Sequence, residues 1–243
     1  MSLYRDEAIV LRTQKLGEAD RIITLLTREH GRIRGVAKGV RRTKSKFGAR
    51  LEPGSHVDIQ LYTGRTFDTV TQVESIFNYG EALTEDYSRW TIAGAILEAA
   101  ERFTSHEHEP ALQEFKLVTG AMKALADDKY DPSMILDAYL LRSLAVGGYA
   151  PSLTNCSKCD ASGPHRYFSL VGGGLVCADC RPSASATPAP ETLKLMSDLI
   201  SGNWESAMAS ELRNRREANG LIAAYLQWHL ERGLRSLQLV ERA

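Results

Sequence analysis

All four cysteines of the 243-residue chain fall within 25 residues, as Cys156-Ser-Lys-Cys159 and, seventeen residues on, Cys177-Ala-Asp-Cys180. A Cys-x-x-Cys turn aims two sulfurs at one point, and two such turns offer four thiolates in the tetrahedral arrangement that suits Zn2+. Sulfur then fills every position and leaves none for water, so the spacing predicts one structural zinc per chain and no metal catalysis. Two disulfides or a redox pair are the competing readings. A reducing compartment argues against the first, and two pairs exceed what a redox centre needs. Between the pairs, residues 167–171 and 175–177 flank Gly172-Gly173-Gly174, a pattern that predicts a hairpin with a glycine turn. His165 is read as a solvated loop histidine, with a ligand role as the alternative.

The second group of residues that could do chemistry is cationic. The chain carries 30 Lys and Arg against 30 Asp and Glu, yet residues 28–50 hold nine basic residues and one acidic, Glu29, a local charge of +8 that leaves −8 for the rest. Twelve carboxylates and five Lys or Arg lie between residues 81 and 137. Cations crowded in this way repel one another, and an anionic partner relieves the repulsion. Strand alternation through Gly31-Arg-Ile-Arg-Gly-Val-Ala-Lys38 sends Arg32, Arg34 and Lys38 to one face. The loop that follows adds Arg41, Arg42, Lys44, Lys46 and Arg50, together with one aromatic, Phe47. A basic groove with aromatic platforms is the pattern of single-strand binders, and Phe47, Tyr62 and Phe67 are the candidate platforms. The competing readings are a solvated flexible loop for the charges and, for Phe47, an anchor that ties the loop to its domain.

Other chemistries are missing. There is no Gly-x-x-x-x-Gly-Lys-Ser/Thr loop for nucleotide phosphates, and His106-Glu-His-Glu109 has the wrong histidine spacing for a zinc hydrolase helix. No spaced acidic cluster is suited to two catalytic metals. The sequence therefore predicts a binding protein and not an enzyme. A zinc-dependent nuclease or hydrolase is one alternative, and a zinc-containing regulator that reads a particular DNA sequence is another. No uncharged stretch reaches the ~20 residues of a membrane span, and the charged opening segment is unlike an export signal. A cytoplasmic, nucleoid-associated protein is expected.

These groups must be positioned by something, and the hydrophobic pattern supplies it. Residues 8–11 and 21–27 are short apolar runs, Val57, Ile59 and Leu61 alternate with polar residues, and 67–75 forms a strand irregular enough to suggest a bulge. Five strands with one long loop, 38–53, suit a small barrel of the oligonucleotide-binding type. From about Tyr79 the period becomes helical, at Ala93, Ile96, Leu97, Ala100 and Phe103, then from Leu112 to Leu125, then from Met134 to Ala145, where Gly147-Gly148 stops the helix. Helix resumes around Leu195 and Leu221. The expected fold is α+β: a five-stranded barrel over residues 1–80, then a mostly helical domain over 81–243 with an inserted four-cysteine zinc module at 153–182.

Three segments taken together resemble the bacterial recombination mediator family RecO: Ala8-Ile-Val-Leu-Arg12, Gly17-Glu-Ala-Asp-Arg-Ile-Ile-Thr-Leu-Leu-Thr27, and above all Lys38-Gly-Val-Arg-Arg-Thr-Lys-Ser-Lys-Phe47 with Leu51-Glu-Pro53. The helical middle, the cysteine module and the end around Tyr225-Leu-Gln-Trp-His-Leu230 and Arg235-Ser-Leu237 are similar to the plan of that family over essentially the whole chain. The resemblance implies an oligonucleotide-binding barrel, a helical C-terminal domain and work in recombinational DNA repair. It further implies binding of single- and double-stranded DNA, annealing of complementary strands, contact with RecR and with the acidic tail of single-stranded DNA-binding protein, and, indirectly, help in loading RecA. Some members of the family lack the cysteines, so zinc does not define the activity.

Overall fold

The computed structural model describes residues 2–230 and 233–240. The chain divides into two compact units, Met1–Lys129 and Tyr130–Ala243. Among the described residues no helix is long and apolar enough to cross a membrane.

In the first unit, strands β1 (Leu3–Leu16), β2 (Asp20–Thr27), β3 (Gly31–Ala37), β4 (Ser55–Tyr62) and β5 (Asp68–Asn78) close into a barrel in the order β1-β2-β3-β5-β4. This is the five-stranded architecture the alternation predicts. One face of each strand fills the interior with Ala8, Val10, Ile23, Leu25, Ile33, Ala37, Val57, Ile59, Leu61 and Val70. Ile9 and Leu26 are also fully buried but lie outside that cluster. Their strands pack outward on two helices, β1 on α2 (Tyr87–Phe103) and β2 on α3 (Leu112–Ala126). Burial on both faces explains why these strands read as continuous apolar runs and not as alternation.

The irregularity expected in the fifth strand is present. Along the β4–β5 ladder the register shifts between His56 and Val57 and between Gln60 and Leu61, so that Ile76 and Thr71 are the extra residues on β5. Closure is slight on the other side: β3 and β5 pair in parallel only at Gly35↔Asp68 and Val36↔Thr69. A single helical turn, α1 (Tyr79–Ala82), joins the barrel to α2.

The second unit is built around α4 (Pro132–Val146), which is buried nearly all round. Asp131 caps its start by accepting from the backbone N–H groups of Ser133 and Met134, and Pro132 occupies the first turn, where no donor is needed. Helices α5 (Pro190–Ser201) and α7 (Leu212–His229) pack on α4 and on each other, and the short α6 (Trp204–Met208) packs on α5. Gly202 ends α5 in the left-handed region, at φ +84°. Between α4 and α5 sits the two-stranded hairpin of β6 (Tyr167–Ser169) and β7 (Gly174–Val176). Replacing Asp131 with Ala should cost about 1 kcal/mol of stability, the usual value of an N-cap, read as a lower urea midpoint at unchanged slope.

Candidate nucleic-acid interface and metal centre

The sulfurs of Cys156, Cys159, Cys177 and Cys180 all lie within 4.8 Å of one another, and all four are free of disulfides. Local backbone bonds bring them together. Cys156 donates its N–H to the Ala161 carbonyl at 2.9 Å, Asp160 donates back to the Cys156 carbonyl at 2.8 Å, and Ser157 N–H ties this first knuckle to Leu175 of β7 at 2.8 Å. The three-glycine turn carries Gly173 and Gly174 at positive φ, and a Cβ on Gly174 would run into the Ser152 backbone. The N–H of Cys177, and those of Cys159 and Lys158, stabilise the Cys156 thiolate and pull its pKa down to about 6. Cys180 is pushed the other way, to about 12, first by its hydrogen bond to Cys177 and then by the one to Cys159. Four sulfurs so close cannot all ionise unaided. A soft dication at their centre removes that opposition, so the donor set fits a metal ion. His165 lies outside the group, its Nε2–H donating to the Ala161 carbonyl at 2.8 Å.

On the barrel, the loop between β3 and β4 stands on the turn between β1 and β2. Asp20 accepts from the Gly39 N–H at 2.7 Å, Arg41 N–H reaches the Ala19 carbonyl at 3.0 Å, and Arg41 Nη1 reaches the Glu18 carbonyl at 2.8 Å. Lys46 Nζ donates at 2.9 Å to the carbonyl of Thr71, the extra residue of the β5 bulge, and Arg50 Nη1 donates to the Lys46 carbonyl at 3.2 Å. Carbonyls fix these side chains without cancelling their charge. Lys38, Arg41, Arg42, Lys44, Lys46 and Arg50 are all exposed, and among the described residues none has an ion pair. Lys15, near the end of β1 that carries the supporting turn, is likewise exposed and without an ion pair. It escaped the sequence reading because it lies outside the basic run.

Arg32 and Arg34 differ. They share the outward face of β3, as the alternation requires, but carboxylates meet them there. Glu107 Oε1 lies 2.5 Å from Arg34 Nε and 3.7 Å from Arg32 Nη2, and Arg32 also donates to the Ser105 carbonyl at 2.6 Å. The Arg32 side chain keeps only 15% of its surface. These two are therefore not free counterions in this conformation, in contrast to the six of the loop.

Phe47 requires a correction. It is 2% exposed and belongs to the barrel core with Leu51, so its ring is closed to a nucleobase and the anchoring role is the one it fills. Its backbone sits in the basic loop while its side chain sits among Ile33, Ala37 and their neighbours in the core. Of the other two aromatics, Tyr62 is exposed at the end of β4, and Phe67 lies under the Arg34 guanidinium, 4.9 Å from the ring centroid.

A closed five-stranded barrel with a cationic loop, followed by helices that carry a four-cysteine knuckle, places the chain among proteins built on a barrel of the oligonucleotide-binding type. Comparison with known sequences is specific. The family profile "Recombination protein O N terminal" matches residues 1–79 and "Recombination protein O C terminal" matches residues 84–238. Proteins named DNA repair protein RecO are 58% identical in Thermobifida fusca, 58% in Streptomyces avermitilis and 54% in Frankia casuarinae, each over the full length of both chains. The chain belongs to the RecO family.

Since Phe47 is a core side chain, Phe47→Ala should destabilise the protein by about 3–5 kcal/mol, measured by urea unfolding. A change below about 1 kcal/mol would return the ring to the surface.

Proposed function

We propose that the protein is a non-enzymatic DNA-binding factor of recombinational repair, acting in the cytoplasm at the nucleoid, that holds single- and double-stranded DNA and anneals complementary strands. Residues 1–80 form its DNA-binding domain. The observation that carries this reading is the set of six exposed cations of the β3–β4 loop, free of ion pairs among the described residues, three of which, Arg41, Lys46 and Arg50, are fixed by carbonyls. Annealing needs no covalent step: cations that screen phosphate repulsion raise the local concentration of both strands, and base pairing selects the product. The family supports partnership with RecR and with the acidic tail of single-stranded DNA-binding protein, and through them help in loading RecA.

The metal of the four-cysteine site is zinc in this reading, held by Cys156, Cys159, Cys177 and Cys180. When bound it closes the knuckle and offers no open coordination position, so it contributes stability and leaves binding to the side chains. Arg32 and Arg34 belong to the binding face as a second tier behind Lys38, Arg41, Arg42, Lys44, Lys46 and Arg50.

Two experiments test these statements. Replacing Arg41, Arg42, Lys44 and Lys46 together with Gln should weaken single-strand binding. It should also flatten the slope of log affinity against log salt by about 0.7 for each phosphate that is no longer neutralised; an unaltered slope places the interface elsewhere. Cys159→Ser should lower both the zinc content and the melting temperature of the purified protein, and full retention of both would remove the metal from the structural account.

A further inference from the structure

The edge of β3 that faces away from β2 is shared by two neighbours. Strand β5 takes Gly35 and Val36, and the segment between α2 and α3 takes the other end. There Arg32 and Glu107 form a parallel bridge, and His108 donates its N–H to the Arg32 carbonyl at 2.9 Å. The approach is so close that a Cβ on Gly31, at φ +68°, would collide with the Glu109 carbonyl. This backbone pairing, with the bond from the Arg32 side chain to the Ser105 carbonyl, holds the segment against the strand and covers an edge that would otherwise be open. None of these bonds uses the side chain of Glu107. It reaches across to place one oxygen 2.5 Å from Arg34 Nε and 3.7 Å from Arg32 Nη2.

We propose that Arg32 and Arg34 form a latent phosphate site for nucleic acid and that Glu107 is its internal competitor, displaced when a strand lies along the barrel. The idea rests on the DNA-binding reading above and adds a gate to it. Two guanidiniums on the same face of one strand, two residues apart, are spaced to clamp a single oxyanion, which is how arginine holds phosphate. The carboxylate fills this clamp poorly. The Arg34 contact is an ion pair without hydrogen-bond alignment, and Nε of both arginines is buried with no hydrogen-bond partner. Glu107 turns a single oxygen, Oε1, to both arginines; a phosphodiester that is not tethered to the protein backbone can turn both of its non-bridging oxygens to the pair and so satisfy donors that Glu107 leaves unmet. Glu101 does not compete in the same way. It lies 4.0 Å from Arg32 but bonds Arg12 at 2.8 Å.

The test uses the full-length protein, a fluorescent oligothymidylate and a salt titration. Glu107→Gln should tighten binding about threefold to tenfold, the order expected for releasing partly exposed guanidiniums from an ion pair, and steepen the salt slope by about 0.7 per arginine released. Glu109→Gln is the charge-matched control. Its side chain is 71% exposed and among the described residues pairs only with His106, so it should change neither quantity comparably. The gain from Glu107→Gln should disappear when Arg34→Ala is already present. Glu107→Asp, with a shorter reach and an unchanged charge, should fall between wild type and Glu107→Gln, which keeps the test available if the glutamine variant folds poorly. Equal effects at positions 107 and 109, or weaker binding by Glu107→Gln, overturn the gate while wild-type binding stands. A wild-type protein that shows no salt-dependent binding overturns the DNA-binding reading and the gate with it.

Discussion

The display of cations on the barrel depends on one buried ring. Phe47 reaches from the middle of the basic loop into the core, and with Leu51 it fills space that the strands leave. A loop rich in lysine and arginine would otherwise be expected to move away from its own repulsion. Burial of an aromatic side chain is worth several kcal/mol, more than mutual repulsion among exposed cations in salt can oppose. The loop is therefore held from within. Its outer bonds, from Arg41 to the β1–β2 turn and from Lys46 to the β5 bulge, then set where those two charges sit.

The same economy of backbone governs the seam of the barrel. Closure between β3 and β5 rests on two residue pairs, which would leave β3 exposed along the rest of its length. An open edge invites pairing with other chains. The segment before α3 covers it, and Gly31 is required because the Glu109 carbonyl lies where a side chain would be. The β5 bulge acts alongside: by adding Thr71 to the strand it turns a carbonyl out of the ladder, and that carbonyl is the one Lys46 uses. Irregularities of the sheet thus serve as fixing points for charged side chains.

What could be read from the sequence was whatever repeats over short distances. Val57, Ile59 and Leu61, the outward placement of Arg32 and Arg34, and the convergence of four cysteines all follow from periods of two or from paired Cys-x-x-Cys turns. Helices α1 and α6, of four and five residues, are too short to show a helical period. The pairing of Arg34 with Glu107 was not legible, because nothing local links residues 73 positions apart, and only the return of the chain after α2 brings them together. Phe47 was ambiguous for another reason. A single aromatic among cations has the same sequence signature whether its ring faces a base or the core, and only the volume left inside the barrel decides between them.

Net neutrality of the chain has a physical consequence for how it meets a polyanion. With 30 charges of each sign there is no overall attraction at long range, and at physiological salt the field of any patch decays within about 8 Å. Encounter must then be governed by orientation: the loop on β3 attracts, while the carboxylates of the segments flanking α2 and α3 repel. Glu107 sits at the meeting point of these two regions, close enough to Arg32 and Arg34 to subtract from the attractive patch. On the proposed reading, a strand held by the outer cations would bring its next phosphates to the very distance at which competition with that carboxylate becomes local and unscreened. Binding in two tiers, loop first and strand second, is what this distribution of charge favours.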